Sequence, residues 1–216
     1  MRYIFTLLFI INGLSIISAQ ETTDEVSYQY IIKYTPTATF NIITPGLQFG
    51  LEQRLDESRS MQYEVGILSS RLGVTYTEGN MFGYRLRAEY RKYSTAFDKK
   101  NKFNGVILEG KQRFLENKFM LSYPDLENAY SERLNLIKLT SSASIYYTRG
   151  TQRVYNKFSI EIAAGIGFRY LYNSIPSVPD GVIKENLENL SSFYPRIDDN
   201  LTLPVGFLCL RIGYLL

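Results

Sequence analysis

Three glutamates, Glu89, Glu109 and Glu161, are the first candidates for chemistry, because carboxylates held close together can act as a general acid and a general base. Each lies in an alternating stretch that carries arginine or lysine on the same face. That regular spacing favours a network of buried salt bridges over an acid–base set. The chain contains no histidine to act as the base of a serine hydrolase, and its single cysteine, Cys209, provides no paired thiols for a metal ion. We therefore expect no catalytic residue, no metal site and no cofactor.

A glycine-containing stretch from Gly105 to Lys111 matches the first seven positions of a phosphate-binding loop. The eighth position holds Gln112, where such a loop requires serine or threonine. The segment also alternates like a strand, whereas a phosphate-binding loop joins a strand to a helix. The sequence Gly-Ile-Gly that begins at Gly165 likewise lacks the rest of a dinucleotide fingerprint. Neither stretch predicts a nucleotide site.

The elements that carry these charges are stretches in which large apolar residues alternate with small or charged ones. In one clear case, Phe82 to Arg91, apolar and aromatic residues at even positions alternate with glycine and charged residues at odd positions. Phe158 to Tyr172 alternates as strictly. The eight such stretches are residues 30–40, 47–52, 61–67, 82–91, 106–114, 138–147, 158–172 and 208–216. This pattern predicts an all-β fold, an eight-stranded antiparallel up-and-down transmembrane β-barrel.

The charged face of these strands is expected to fill the lumen, because it also carries the small residues that a narrow eight-stranded interior requires. The opposite face carries Phe, Tyr, Leu and Ile, and an arginine or lysine there near the middle of a bilayer would cost about 2–4 kcal/mol. The predicted lumen network of ion pairs comprises Glu52, Glu64, Arg85, Arg87, Glu89, Glu109, Lys111, Arg113, Glu161, Arg169 and Arg211. A soluble, lipocalin-like periplasmic binder, whose apolar face would point inward, is the less favoured alternative.

The N-terminal residues predict an export signal. After Met1 and Arg2 there is no charge as far as Gln20, and the apolar centre is shorter than the roughly 20 residues of a spanning helix. We expect cleavage after Ala19, so that residues 1–19 are a signal peptide and residues 20–216 form the barrel domain. The net charge of +3, with basic residues spread along the strands, indicates no nucleic-acid partner.

The connections between the predicted strands alternate in length, apart from the first, which is tight. The long links cover residues 71–80, 116–135 and 173–200, and the short links cover residues 44–46, 56–60, 94–102 and 150–156. Outer-membrane barrels have short periplasmic turns and longer extracellular loops, so we expect the long set to face the cell exterior. Residues 124–133 and 180–189 can each accommodate a helical turn or two.

Several stretches carry a resemblance to a known family: Gly83 to Tyr93, the Asn104-Gly105 pair, Ile160 to Tyr170 and the final Phe207 to Tyr214. Together with the signal peptide and the eight strands, they resemble the small OmpA/OmpX-like barrels. They resemble more closely a family of Gram-negative outer-membrane barrels without an assigned function. The resemblance implies export to the outer membrane of a Gram-negative bacterium. It also implies contact with outer-membrane lipid, and the barrel assembly machinery as a partner during biogenesis.

We expect a monomeric, non-enzymatic barrel with a structural, envelope-stabilising or surface-interaction role, in which the long loops at 116–135 and 173–200 contact a surface ligand of unknown identity. Two further alternatives stay open. One is a narrow pore or small-ligand binder that uses the charged lumen. The other is a lipid-modifying enzyme that acts from the rim of the barrel.

Overall fold

Nine β-strands make up almost all of the regular structure of the described residues. The computed structural model describes residues 28–39, 44–72, 80–94, 100–123, 130–174, 183–186 and 200–216. The strands are β1 (Tyr30–Tyr34), β2 (Gly46–Arg54), β3 (Arg59–Ser69), β4 (Met81–Tyr93), β5 (Lys100–Tyr123), β6 (Tyr130–Tyr155), β7 (Phe158–Ser174), β8 (Ile183–Asn186) and β9 (Leu201–Leu215). A helical turn, α1 (Pro36–Thr39), follows β1, and a 3-10 turn (Ser70–Leu72) follows β3.

Eight of these strands form a closed ring of antiparallel neighbours. Strands β1 to β6 each pair with the next strand in the chain, β7 pairs with β9, and β9 pairs with β1. The prediction of an all-β fold with eight antiparallel strands in up-and-down order is confirmed. The ninth strand, β8, was not predicted, and it pairs with β5 outside the ring, with Ile183 opposite Ser122.

Burial alternates along the ring strands with the period of two that a pleated strand imposes. In β4, Arg85 and Arg87 are buried, whereas Phe82, Tyr84 and Leu86 are exposed. The same alternation in β2, β3, β7 and β9 places most charged and small residues inside the ring and most large apolar residues outside it. Leu171 on β7 and Phe207 on β9 are exceptions on the inner face.

The connections lie at two opposite ends of the ring. At the short-turn end, β2 leads into β3, β4 into β5 and β6 into β7. At the long-loop end, β1 leads into β2, β3 into β4, β5 into β6 and β7 into the segment that contains β8 and ends at β9. The turn at 156–157 is tight because Asn156 adopts a φ of 51°, which asparagine tolerates better than most residues. In the turn at 55–58, the backbone N–H of Ser58 donates to the carboxylate of Asp56 at 2.9 Å, and this hydrogen bond lowers the pKa of Asp56 below its ordinary value.

The predicted tight link at residues 44–46 is wrong, as is the extension of the first strand to residue 40. Strand β1 ends at Tyr34 because Pro36, which has no backbone N–H for a sheet ladder, opens the helical turn α1. That turn buries Ala38, which the alternation had assigned to the outer face.

The predicted loop at residues 116–135 is also wrong, because β5 continues to Tyr123 and β6 begins at Tyr130. A helical turn across 124–133 or 180–189 is contradicted where the chain is described, since 130–133 belong to β6 and 183–186 form β8. The predicted turn at 150–156 is shorter than expected, because β6 continues to Tyr155. The predicted signal peptide, residues 1–19, lies outside the described residues and stays a prediction.

Among the described residues, no helix is long and apolar enough to cross a membrane.

Candidate functional site

The interior of the ring contains two groups of charged side chains. Toward the short-turn end lies the ion-pair cluster, which consists of Lys33, Glu52, Glu64, Glu89, Arg91, Glu161 and Arg211. Toward the long-loop end lies the basic cavity, whose charged lining consists of Arg85, Arg87, Glu109, Lys111, Arg113 and Arg169. The pleat of seven different strands points these side chains inward.

Glu161 is the most connected carboxylate of the ion-pair cluster. Its Oε2 lies 2.5 Å from Lys33 Nζ and 2.8 Å from a terminal nitrogen of Arg91, and its Oε1 pairs with Arg211. Arg211 is its direct cross-strand partner between β7 and β9, whereas Lys33 and Arg91 reach it across the interior. One carboxylate therefore joins four strands of the ring.

Glu52 and Glu89 complete the pairing of Arg91. Glu52 lies 3.3 Å from Arg91 and also pairs with Lys33, and it accepts hydrogen bonds from Tyr93 at 2.5 Å and Ser60 at 2.6 Å. Glu89 lies 2.7 Å from Arg91. The side chains of Lys33, Glu52, Glu89 and Arg91 are no more than 1% exposed, so together they fill the interior at this level.

A ladder of alternating charge links the two groups. Glu64 on β3, Arg87 on β4 and Glu109 on β5 are direct neighbours in register. Arg87 lies 3.5 Å from Glu64 and 2.6 Å from Glu109. Glu64 also lies 2.8 Å from Arg211 within the ion-pair cluster. The strand register itself thus sets up the favourable cross-strand pairs.

The basic cavity has a volume of about 290 Å³. Of the charged lining residues that the structure describes, five are cationic and one, Glu109, is anionic, so their formal excess is four positive charges. The ion-pair cluster has three cations against four carboxylates, and its formal charge is −1. The interior is therefore polarised, with most of its positive charge toward the long-loop end.

Two arginines of the basic cavity are held by neutral partners. Arg85 donates to Gln48 at 3.0 Å and to Thr44 at 3.2 Å. Arg169 donates to the hydroxyl of Tyr146 at 2.7 Å and lies 3.5 Å from Glu109. These contacts fix the guanidinium groups while leaving several of the five N–H donors of each arginine for other acceptors.

The eleven residues predicted for the lumen network lie in both groups. The ion-pair cluster contains Glu52, Glu64, Glu89, Glu161 and Arg211, and the basic cavity contains the other six. Sequence reasoning omitted Lys33 and Arg91, although both stand in the inward rows of predicted strands. The row position was the signal that could have identified them.

Chemically, the two groups can fill the ring at one end and attract an anion at the other. Among the described residues, no group of three or more histidine, cysteine, aspartate or glutamate side chains is placed to hold a metal ion. Comparison of the chain with protein-family models, with curated proteins and with solved structures gives no match.

Proposed function

We propose that the chain is a monomeric, non-enzymatic outer-membrane β-barrel of a Gram-negative bacterium, filled by its ion-pair cluster and acting at the cell surface through its long-loop end. The observation that carries this proposal is an inverted distribution of side chains. Charged residues fill the interior of the ring, and large apolar residues cover its outside. A water-soluble protein of this size places its charges outside and its apolar side chains inside.

The apolar belt encircles the ring. In β7, Ile162, Ile166 and Phe168 are 56%, 73% and 62% exposed, and every other ring strand contributes similar side chains. Soluble monomers rarely expose contiguous apolar patches larger than a few hundred Å². Hydrocarbon is the solvent that suits such a belt, and every ring strand has a paired neighbour on both sides, which satisfies most of its backbone without solvent. The shortest of these pairings joins β9 to β1 from Ile212 to Leu215. A lipocalin-like binder would instead need an apolar interior, so the buried charges favour the membrane reading.

The ion-pair cluster supports a filled barrel over a narrow pore. Arg91 and Arg211 are fully buried across the interior, and each contacts two or more carboxylates. A permeating ion would have to displace these contacts. The pore therefore stays the second candidate, favoured only by the positive charge of the basic cavity.

The long-loop end supports a surface-interaction role. The last pairings of β5 with β4 and of β6 with β7 are Leu115 with Met81 and Leu139 with Ser174. Beyond them, β5 and β6 continue as a hairpin paired with itself, and β8 adds a third strand to it. This arm, made of residues 116–123, 130–138 and 183–186, gives that end a paired backbone on which a partner can dock.

Expression of the full chain in a Gram-negative host, followed by membrane fractionation, tests the proposal. We expect the mature protein in the outer-membrane fraction, starting at Gln20, with unheated samples migrating differently from boiled ones. Recovery from the soluble periplasmic fraction would contradict the membrane assignment. In planar bilayers we expect no steady current, and an ion-selective current would replace the filled barrel with the pore.

A further inference from the structure

We infer that the basic cavity is a binding site for a phosphate group, either free phosphate or a small phosphate monoester. The inference goes beyond the proposed surface role, and it does not depend on where the ring is located, because the cavity lies inside the ring. It rests on three observations: the charge balance of the lining, a buried lysine without a partner among the described residues, and apolar side chains that line the same cavity as the cations.

The charge balance of the cavity lining is the first observation. Among the described lining residues Glu109 is the only carboxylate, and it already lies 2.6 Å from Arg87, 3.5 Å from Arg169 and 3.7 Å from Arg85. Arg87 also pairs with Glu64, 3.5 Å away. Glu109 is therefore the one carboxylate of the described lining that offsets the positive charges of Arg85, Lys111 and Arg169. Buried charges that lack counter-charges are costly, so the lining favours a ligand that carries more than one negative charge.

Lys111 is the second observation. Its side chain lines the cavity and is only 6% exposed. Within the part of the chain that the structure describes, its ammonium group forms no hydrogen bond and has no carboxylate within 4 Å. Its direct neighbour in β4 is Arg85, and like charges placed opposite each other across two strands are destabilising.

The neighbour of Lys111 on its other side is also a donor. Ser142 lies directly opposite Lys111 in register, and its buried hydroxyl has no hydrogen-bond partner among the described atoms. A buried hydroxyl that lacks a partner costs free energy, and an oxyanion that reached it from the interior of the ring would relieve that cost. An ammonium and a hydroxyl thus stand side by side with donors available.

The arginines supply donors of the geometry that phosphate prefers. Arg85 is held by Gln48 and Thr44, and Arg169 is held by Tyr146, so neither needs to be ordered when a ligand binds. Planar guanidinium groups bind phosphate oxygens through two parallel hydrogen bonds, and a lysine adds a point charge. This combination distinguishes phosphate from chloride, which has no oxygens to accept such bonds.

The apolar wall is the third observation. Leu171, Leu203 and Phe207 line the same cavity as the cations, and Phe207 packs edge-on against Tyr146 at 5.2 Å between ring centroids. A free phosphate would make little use of this wall. The organic part of a phosphate monoester would cover it, so we expect phenyl phosphate to bind more tightly than inorganic phosphate.

The test is isothermal titration of the purified full chain, folded in a detergent without phosphate, with inorganic phosphate and with phenyl phosphate. Sodium chloride holds the ionic strength constant, because screening weakens all such attractions. We expect saturable binding of one ligand per chain. Lys111→Met should weaken it at least tenfold, which equals about 1.4 kcal/mol, because a charge-assisted hydrogen bond is lost.

Two variants control for net charge and for folding. Lys157→Met removes the same charge from the exposed turn at the short-turn end, and we expect it to bind like the parent chain. Lys111→Arg keeps the charge in the cavity, and we expect it to retain binding. Each variant is first checked for heat-modifiable migration. The inference is overturned if neither inorganic phosphate nor phenyl phosphate gives saturable binding beyond the signal of sodium chloride. It is also overturned if Lys111→Met and Lys157→Met bind these ligands with equal affinity.

Discussion

Replacement of Glu161 by glutamine tests whether the ion-pair cluster carries the stability of the ring. The substitution keeps the size of the side chain and removes its negative charge. It removes ion-pair partners from Lys33, Arg91 and Arg211 at the same time. Because all four side chains are no more than 1% exposed, water cannot take the place of the lost carboxylate without reorganisation of the interior.

The magnitude follows from the partners that remain. Arg91 keeps Glu89 at 2.7 Å and Glu52 at 3.3 Å, and Arg211 keeps Glu64 at 2.8 Å. Removal of one partner of a buried pair typically costs 3–5 kcal/mol, and the remaining carboxylates place Glu161→Gln at about 3 kcal/mol. With a urea dependence of about 2 kcal/mol per molar, the unfolding midpoint falls by about 1.5 M.

The assay is urea unfolding of the protein folded into lipid vesicles, followed by the difference in gel migration between folded and unfolded chains. Glu57→Gln makes the same chemical change in the exposed turn between β2 and β3, and we expect a shift within about 0.5 kcal/mol. The double variant Lys33→Met/Glu161→Gln removes both partners of one pair. Its loss of stability should be smaller than the sum of the two single losses.

The reasoning is refuted if Glu161→Gln unfolds at the same urea concentration as Glu57→Gln. If the losses of the two single variants simply add in the double variant, Lys33 and Glu161 are not coupled. That result would contradict the pairing of these two side chains even if Glu161→Gln alone is destabilised. If Glu161→Gln does not assemble in the membrane of the host, the protein for the unfolding assay is obtained by refolding from urea.

Two further substitutions test the outer and inner faces of the ring. Ile166→Lys, in the middle of β7, should lower the free energy of unfolding in vesicles by about 2–4 kcal/mol if that face meets lipid. The control Leu55→Lys, in an exposed turn, should leave it nearly unchanged. Equal urea midpoints for the two variants would contradict a lipid-facing belt. Gly167→Ala should cost about 1–3 kcal/mol, because an added Cβ overlaps the backbone carbonyl of Ile145. Gly110→Ala, where nothing lies within 4 Å of the added Cβ, should leave the urea midpoint unchanged, and a similar loss in both variants would show that the overlap is not the cause.

The ring and its two faces could be predicted because alternation with a period of two determines which side chains of a strand face inward and which face outward. In β4, nearly every second residue is too large or too apolar for the interior, so the inward row follows from the sequence. The pairs within that row were harder to predict. Lys33 and Glu161 are 128 residues apart, and they meet only because the ring closes between β1 and β9.

The hairpin at the long-loop end was predicted as a loop for a related reason. After Leu115, β5 no longer pairs with β4, and before Leu139, β6 does not yet pair with β7. Without the ring on both sides there is no enclosed interior to demand alternation, so the sequence there lacks the pattern that marks the other strands. The hairpin is marked only by the pairing of the end of β5 with the start of β6, and the periodicity of a sequence does not reveal such pairing.

The choice of charge for the interior is explained better by specificity than by stability. Well-packed apolar residues in place of buried ion pairs are often neutral or stabilising, so the cluster is a weak argument for a tighter fold. A one-residue slip of any ring strand, however, would turn its inner row outward and its apolar row inward. In β4 such a slip would expose Arg85, Arg87 and Arg91, at about 2–4 kcal/mol each if the outer face meets lipid. In the proposed membrane location the charges therefore fix the register of the ring, and their uneven division leaves the excess of positive charge beside Lys111, where we propose that a phosphate group binds.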